Sequence, residues 1–226
     1  MLGDVDGYPT GLAMHLLRGL VGPLFIALLG VWLIARERPL LAAVAFVSAV
    51  AAASVIIIPV RRRRTTAAAI LFTDIVESTR LMSLMGDSGW SEKLSLYETA
   101  TRAAARDARA ILTKALGDGF LVVFDGPRAS RTAIACATQI RELARSQDLE
   151  TRAAVHVGDC LVSRGDATGL TVHIAARALA IASPGDVVVT KTARAALGDD
   201  DLPLEDAGVH ELRGVPEPHR IYRLAN

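Results

Sequence analysis

The chain has 226 residues, is 51% hydrophobic and carries a formal net charge of +1, which excludes a disordered polymer and removes any electrostatic case for nucleic acid as a partner. Charge is unevenly spread: the first 64 residues hold seven arginines against three acidic residues, whereas the remaining 162 hold 18 basic and 21 acidic residues. Two cysteines, Cys136 and Cys160, are too few for a disulfide framework and lie outside any CxxC spacing, so they read as reduced thiols.

The uneven charge divides the chain into two parts with different solvents. Residues 1–64 read as a membrane anchor. Gly19 to Ala35 is an apolar run of 17 residues and Pro39 to Val60 one of 22, each within the ~17–25 residues that a membrane-crossing helix needs. Arg18 and Arg61 to Arg64 flank the outer ends of this hairpin and only Arg36 and Arg38 the loop, so both termini are expected in the cytoplasm of a multi-pass protein of the inner or plasma membrane. Ala45, Ala49 and Ala53 repeat at the small-xxx-small spacing, which suits packing on the first helix or on a second chain. Met1 to Leu17 is too short to fold alone, so no receptor domain is expected ahead of the hairpin.

Residues 65–226 read as one α+β domain. AAILFTDI forms a buried strand ending around Asp74, and Ser78 to Arg109 is helical with an interruption near Gly86 to Gly89. Ile111 to Leu116 and Phe120 to Phe124 form a hairpin through Gly117-Asp118-Gly119. A helix over about Arg128 to Ser146 follows, then strands near Arg152 to Val157 and Cys160 to Ser163, a helix near Thr171 to Ile181, and strands at Asp186 to Thr190 and in the last twenty residues. The leading βαββαβ order predicts a ferredoxin-like sheet with helices on one face.

Asp74 follows a hydrophobic strand and Asp118 sits in a hairpin turn. Singly, each reads as a helix cap or a turn former. As a pair at the ends of adjacent strands they could hold Mg²⁺, which takes one or two protein carboxylates and leaves its other positions to water and phosphates. His156 and Cys160 sit in strand-like runs and read as structural.

Four separated segments carry a resemblance: FTDIVESTR, Lys114-Ala-Leu-Gly-Asp118-Gly-Phe, Asp166-ATGLTV-His173-IAA-Arg177, and the closing Glu211-Leu-Arg213-Gly-Val. Together they resemble the signature segments of class III adenylate/guanylate cyclases, over about Ala67 to Leu224. The resemblance implies two Mg²⁺ or Mn²⁺ ions held by Asp74, Asp118 and the main-chain carbonyl of Ile75. It implies that Lys114 and Asp166 read the purine. A lysine donates to adenine N1 and a carboxylate accepts from its amine, whereas guanine reverses both demands, so ATP is the expected substrate. By the same resemblance Arg177 stabilises charge on the α-phosphate, Arg213 grips the terminal phosphates, and His173 stands where many members place a ribose-orienting asparagine. Family members build the site between two catalytic domains, which implies a homodimer with composite sites.

The implied activity is a membrane-bound adenylate cyclase forming 3′,5′-cyclic AMP and pyrophosphate for signal transduction. Two departures keep other readings open. His173 replaces the asparagine, and Glu77 replaces a glycine common after the first metal aspartate. Glu77 is harmless if it points outward or caps the next helix, and repels substrate if it points inward. The competing readings are a guanylate cyclase and a catalytically silent, membrane-anchored nucleotide-binding or dimerisation module.

Overall fold

A computed structural model describes residues 64–163 and 165–225. The expected membrane hairpin lies outside these residues, and among the described residues no helix is long and apolar enough to cross a membrane. In chain order the elements are β1 (Arg64–Ile75), α1 (Ser78–Asp107), β2 (Leu112–Leu116), β3 (Gly119–Asp125), α2 (Ala129–Arg145), β4 (Thr151–Ser163), β5 (Asp166–Thr168), α3 (Leu170–Leu179), β6 (Val187–Thr190), α4 (Lys191–Ala195), β7 (Leu204–His210) and β8 (His219–Leu224).

The strands form one sheet in the order β2-β3-β1-β4-β6-β8-β7, with β5 paired to β4. Its first four strands are antiparallel and carry the predicted ferredoxin-like order. β6 adds on parallel to β4, and β8 and β7 extend the sheet antiparallel. β1 is buried on both faces, which explains a continuous apolar run rather than an alternating one. Ala69, Leu71 and Ile75 join Tyr97, Ala104, Ile134 and Ile140 beneath α1 and α2. Ala68, Ile70 and Phe72 pack on the other side with Leu121, Val123 and Ala175 of α3.

The expectation that the helices of the βαββαβ unit share one face therefore holds for α1 and α2, while α3, which follows that unit, covers the opposite face. Small side chains make its close approach possible. A Cβ on Gly158 of β4 would lie 2.8 Å from Thr171 Oγ1, and Thr171 Oγ1 donates to the Asp159 carbonyl at 2.6 Å. A correction concerns β4, one strand of 13 residues rather than two, because Gly158 and Asp159 stay in register with Ala68 and Ala67. The interruption expected in α1 is a kink at Gly86, whose φ of 73° only glycine adopts readily. Both cysteines are buried free thiols, and burial pushes Cys136 up to about 11.

Candidate active site

Asp74 is the penultimate residue of the central strand. On one side β1 keeps its ladder with β4 as far as Ile75 and Thr151, and the Val76 N–H donates to the Glu150 carbonyl at 2.8 Å. On the other side pairing with β3 ends at Thr73 and Phe120, where β3 passes into the two-residue turn Gly117-Asp118 closed by Leu116 and Gly119. Gly119 makes that passage possible: a Cβ there would lie 2.4 Å from the Thr73 carbonyl oxygen. Phe120 then anchors the base of the hairpin, fully buried, edge-on to Tyr97 with ring centroids 5.9 Å apart.

Asp118 is thereby brought to the side of Asp74. Both carboxylates act on one group, the hydroxyl of Tyr97: burial raises its pKa most, hydrogen bonding with Thr73 and Thr101 offsets part of this, and the charges of Asp74 and Asp118 add to the rise. That hydroxyl and Thr73 Oγ1 lie 3.3 Å apart beneath the pair. The Ile75 side chain is in the core, leaving its main chain to the site. Among the described residues no group of three or more His, Cys, Asp or Glu is placed to hold a metal ion. Two hard carboxylates without thiol or imidazole fit Mg²⁺ or Mn²⁺, which are content with oxygen donors and retained water.

A residue with no site role in the sequence reading completes this edge. Arg152 faces Asp74 directly across the β1/β4 ladder and donates to its Oδ2 from Nη2 at 2.6 Å and from Nε at 3.1 Å.

Lys114 of β2 and Asp166 of β5 meet at a second point, with Nζ donating to Oδ1 at 3.0 Å. The Ala167 N–H donates to the same oxygen at 2.9 Å. The lysine first and this N–H second hold the Asp166 carboxyl below the usual carboxylate range. Both side chains are partly exposed, at 38% and 45%, so this rim offers one cationic and one anionic hydrogen-bonding group to solvent.

His173 and Arg177 are one helical turn apart on the solvent side of α3, opposite its buried residues Thr171, Ile174, Ala175 and Ala178. Arg213 is exposed in the 211–218 segment between β7 and β8, which lines a cleft of about 440 Å³. Among the described residues no hydrogen bond or ion pair joins Asp74 or Asp118 to Lys114, Asp166, His173, Arg177 or Arg213. Glu77 is turned to solvent and to Arg80, 2.9 Å away, and makes no side-chain cap on α1. His156 is buried between Thr190 and Thr192, with Nδ1 2.8 Å and 3.1 Å from their hydroxyls. Its structural role is thus plain from its surroundings.

The adenylate and guanylate cyclase catalytic domain model matches residues 60–226. A pH-sensitive adenylate cyclase of Mycobacterium tuberculosis is 28% identical over 162 residues, covering 69% of this chain and 40% of the relative. The chain spans between 16% and 40% of the length of the first curated relatives it matches. Among solved structures, the adenylyl cyclase CyaB from P. aeruginosa superposes with a TM-score of 0.67 at 17% identity, over 72% of this chain and 95% of that one. The guanylyl cyclase Cya2 does so with a TM-score of 0.64 at 18% identity, over 72% and 93%. One fold thus serves both purine specificities, so the fold alone does not select between them. With the family model spanning the whole described domain, this chain belongs to the adenylate and guanylate cyclase catalytic domain family.

Proposed function

We propose that the protein is an adenylate cyclase that converts ATP to 3′,5′-cyclic AMP and pyrophosphate. The observation that carries the choice of ATP is the meeting of Lys114 and Asp166 on one rim. An ammonium donor beside a carboxylate acceptor matches the N1 acceptor and the amine donor of adenine, and mismatches the same edge of guanine.

In the reaction the ribose 3′-oxygen attacks the α-phosphorus, its proton passes to solvent, and pyrophosphate leaves with the electron pair of the broken P–O bond. Two divalent ions, when bound, supply a lowered pKa at the 3′-hydroxyl and neutralisation of phosphate charge. Asp74, Asp118 and the Ile75 carbonyl would hold them. Arg177 would donate to the α-phosphate as charge builds there, a task for a permanently charged, multi-donor group. His173 would orient the ribose through a ring N–H, and Arg213 would bind the terminal phosphates. No side chain is assigned as general base.

That no hydrogen bond or ion pair among the described residues joins the carboxylate pair to the base- and phosphate-binding residues supports a head-to-tail homodimer, in which each chain completes its partner's site. Residues 1–64 would anchor the catalytic domain on the cytoplasmic side of the inner or plasma membrane through two helices, at about 19–35 and 39–60, followed by a basic stop segment. The outward turn of Glu77 supports an active enzyme over a silent module.

The test is product formation by the purified full-length chain with ATP or GTP and Mg²⁺ or Mn²⁺, beside Asp74→Ala. Cyclic AMP that vanishes in the variant is the expected result. Cyclic GTP-derived product in excess would make it a guanylate cyclase, and no product from a folded dimer would leave the silent module.

A further inference from the structure

Tyr97 is fully buried on the stripe of α1 that also buries Thr101, Ala104 and Ala105. A phenylalanine would fill such a position without a hydroxyl to satisfy. The two ends of the tyrosine touch two different strands. Its hydroxyl lies 3.3 Å from Thr73 Oγ1 of β1, and its ring meets Phe120 of β3 edge-on at 5.9 Å. Arg102, further along α1, lies over the same Phe120 ring, 5.4 Å from its centroid. Thr73 and Phe120 are themselves partners in the sheet, and theirs is the last rung between β1 and β3. One residue beyond it stand Asp74 on β1 and Gly119 on β3, with Asp118 next. The strand ends are still close there, since a Cβ on Gly119 would lie 3.5 Å from Asp74 Oδ1.

Resting on the cyclase reading, we propose that Tyr97 is a positioning residue that sets the spacing of the two metal-binding carboxylates by clamping the last β1/β3 rung. Pairing of the two strands ends at that rung, so the placement of Asp74 against Asp118 depends on how firmly the rung itself is held. Two like charges left to themselves move apart, and a site for shared cations gains from carboxylates already in place. Tyr97 supplies the hold in two forms: the ring fixes β3 by packing, and the hydroxyl fixes β1 by a directional bond. Both belong to one stiff side chain, so they tie the strand ends to each other and to α1. Removing the hydroxyl alone releases β1 and keeps the grip on Phe120. It therefore loosens the carboxylate pair without emptying the core, an effect that a hydroxyl serving stability alone does not give.

The experiment is Mn²⁺ titration of the purified full-length chain without nucleotide, followed by electron paramagnetic resonance, for the parent, Tyr97→Phe, Thr73→Val, Thr73→Ser and Asp74→Asn. Tyr97→Phe is expected to bind Mn²⁺ about fivefold more weakly than the parent, the equivalent of one buried hydrogen bond, while cyclic nucleotide formation at saturating Mn²⁺ drops about tenfold. Thr73→Val removes the other end of the same bond and should match it, and the two changes together should cost no more than either alone. Thr73→Ser keeps the hydroxyl, so parental Mn²⁺ affinity is expected. Parental Mn²⁺ affinity in Tyr97→Phe, even with a lower urea midpoint, overturns the role of Tyr97 and leaves the cyclase reading standing. No Mn²⁺ binding by the parent, or binding that Asp74→Asn does not weaken, overturns the carboxylate site itself, and both readings with it. Should Tyr97→Phe fail to fold, Thr73→Val decides: parental Mn²⁺ affinity in that variant overturns the proposal.

Discussion

Glu77 stands just before α1 with φ 53° and ψ 31°, in the left-handed region that costs an L side chain about 1–2 kcal/mol. Its side chain gains an exposed ion pair with Arg80, an interaction that contributes little. Glu77→Gly is therefore expected to raise stability by about 1 kcal/mol, read as a higher urea midpoint at unchanged slope. A lower midpoint would mean that the Arg80 pair outweighs the strain. His156 gives a pH dependence. Burial, and next the nearby His219, lower its pKa from 6.5 to about 4, so the unfolded chain takes up a proton that the folded one refuses. Its contribution is fully present above about pH 6.5 and is lost as the pH falls toward about 4, by roughly 3 kcal/mol in all. Unfolding free energy measured across that window should flatten in His156→Gln. Arg152 was the residue that the sequence hid: an arginine opening a strand reads as solvated, and only the register that sets it against Asp74 reveals its partner.

At the scale of elements, the hairpin β2-β3 owes its position to two glycines with different duties. Gly117 has φ 77° and open space around it; Gly119 has a carbonyl oxygen where a Cβ would be. An alanine at 117 costs about 1 kcal/mol of backbone strain. At 119 it must force β3 away from β1, with the 1–3 kcal/mol typical of overpacking and a displaced Asp118. Gly119→Ala should thus lose more stability and far more activity than Gly117→Ala, by thermal unfolding and nucleotide turnover side by side; equal effects in both would contradict the close packing. The hairpin, β1 and α2 were legible because their apolar periods are strong. β7 was only partly so, since Leu204 to His210 is a mixed polar edge strand with a bulge between Asp206 and Val209. The five-residue α4 carries too short a period to register. The face taken by α3 was not legible either, because its alanines at 175, 176 and 178 suit burial on either side of a sheet.

For the whole molecule, no hydrogen bond or ion pair among the described residues joins the two sets of proposed site residues, and an assembly of two copies is what would unite them. Mixing Asp74→Ala with Arg177→Ala should restore up to about a quarter to a half of the activity per dimer, since random pairing builds one intact site in each heterodimer. No recovery in demonstrated heterodimers would rule the arrangement out. Comparing the full chain with residues 65–226 at equal dimer occupancy would separate an anchor that concentrates chains in a plane from one that sets the angle between domains. The candidate residues were legible as motifs, whereas which of them meet, as Lys114 and Asp166 do, needed three dimensions. β1 is flanked on both edges by paired strands and covered on both faces, which places its amides among the last to exchange with solvent. The carboxylate it carries is thus borne by the slowest-opening part of the domain, while His173, Arg177 and Arg213 ride on a surface helix and a connecting segment that open sooner. Local opening would cost the proposed site its hold on ribose and phosphates well before it cost Asp74 its place.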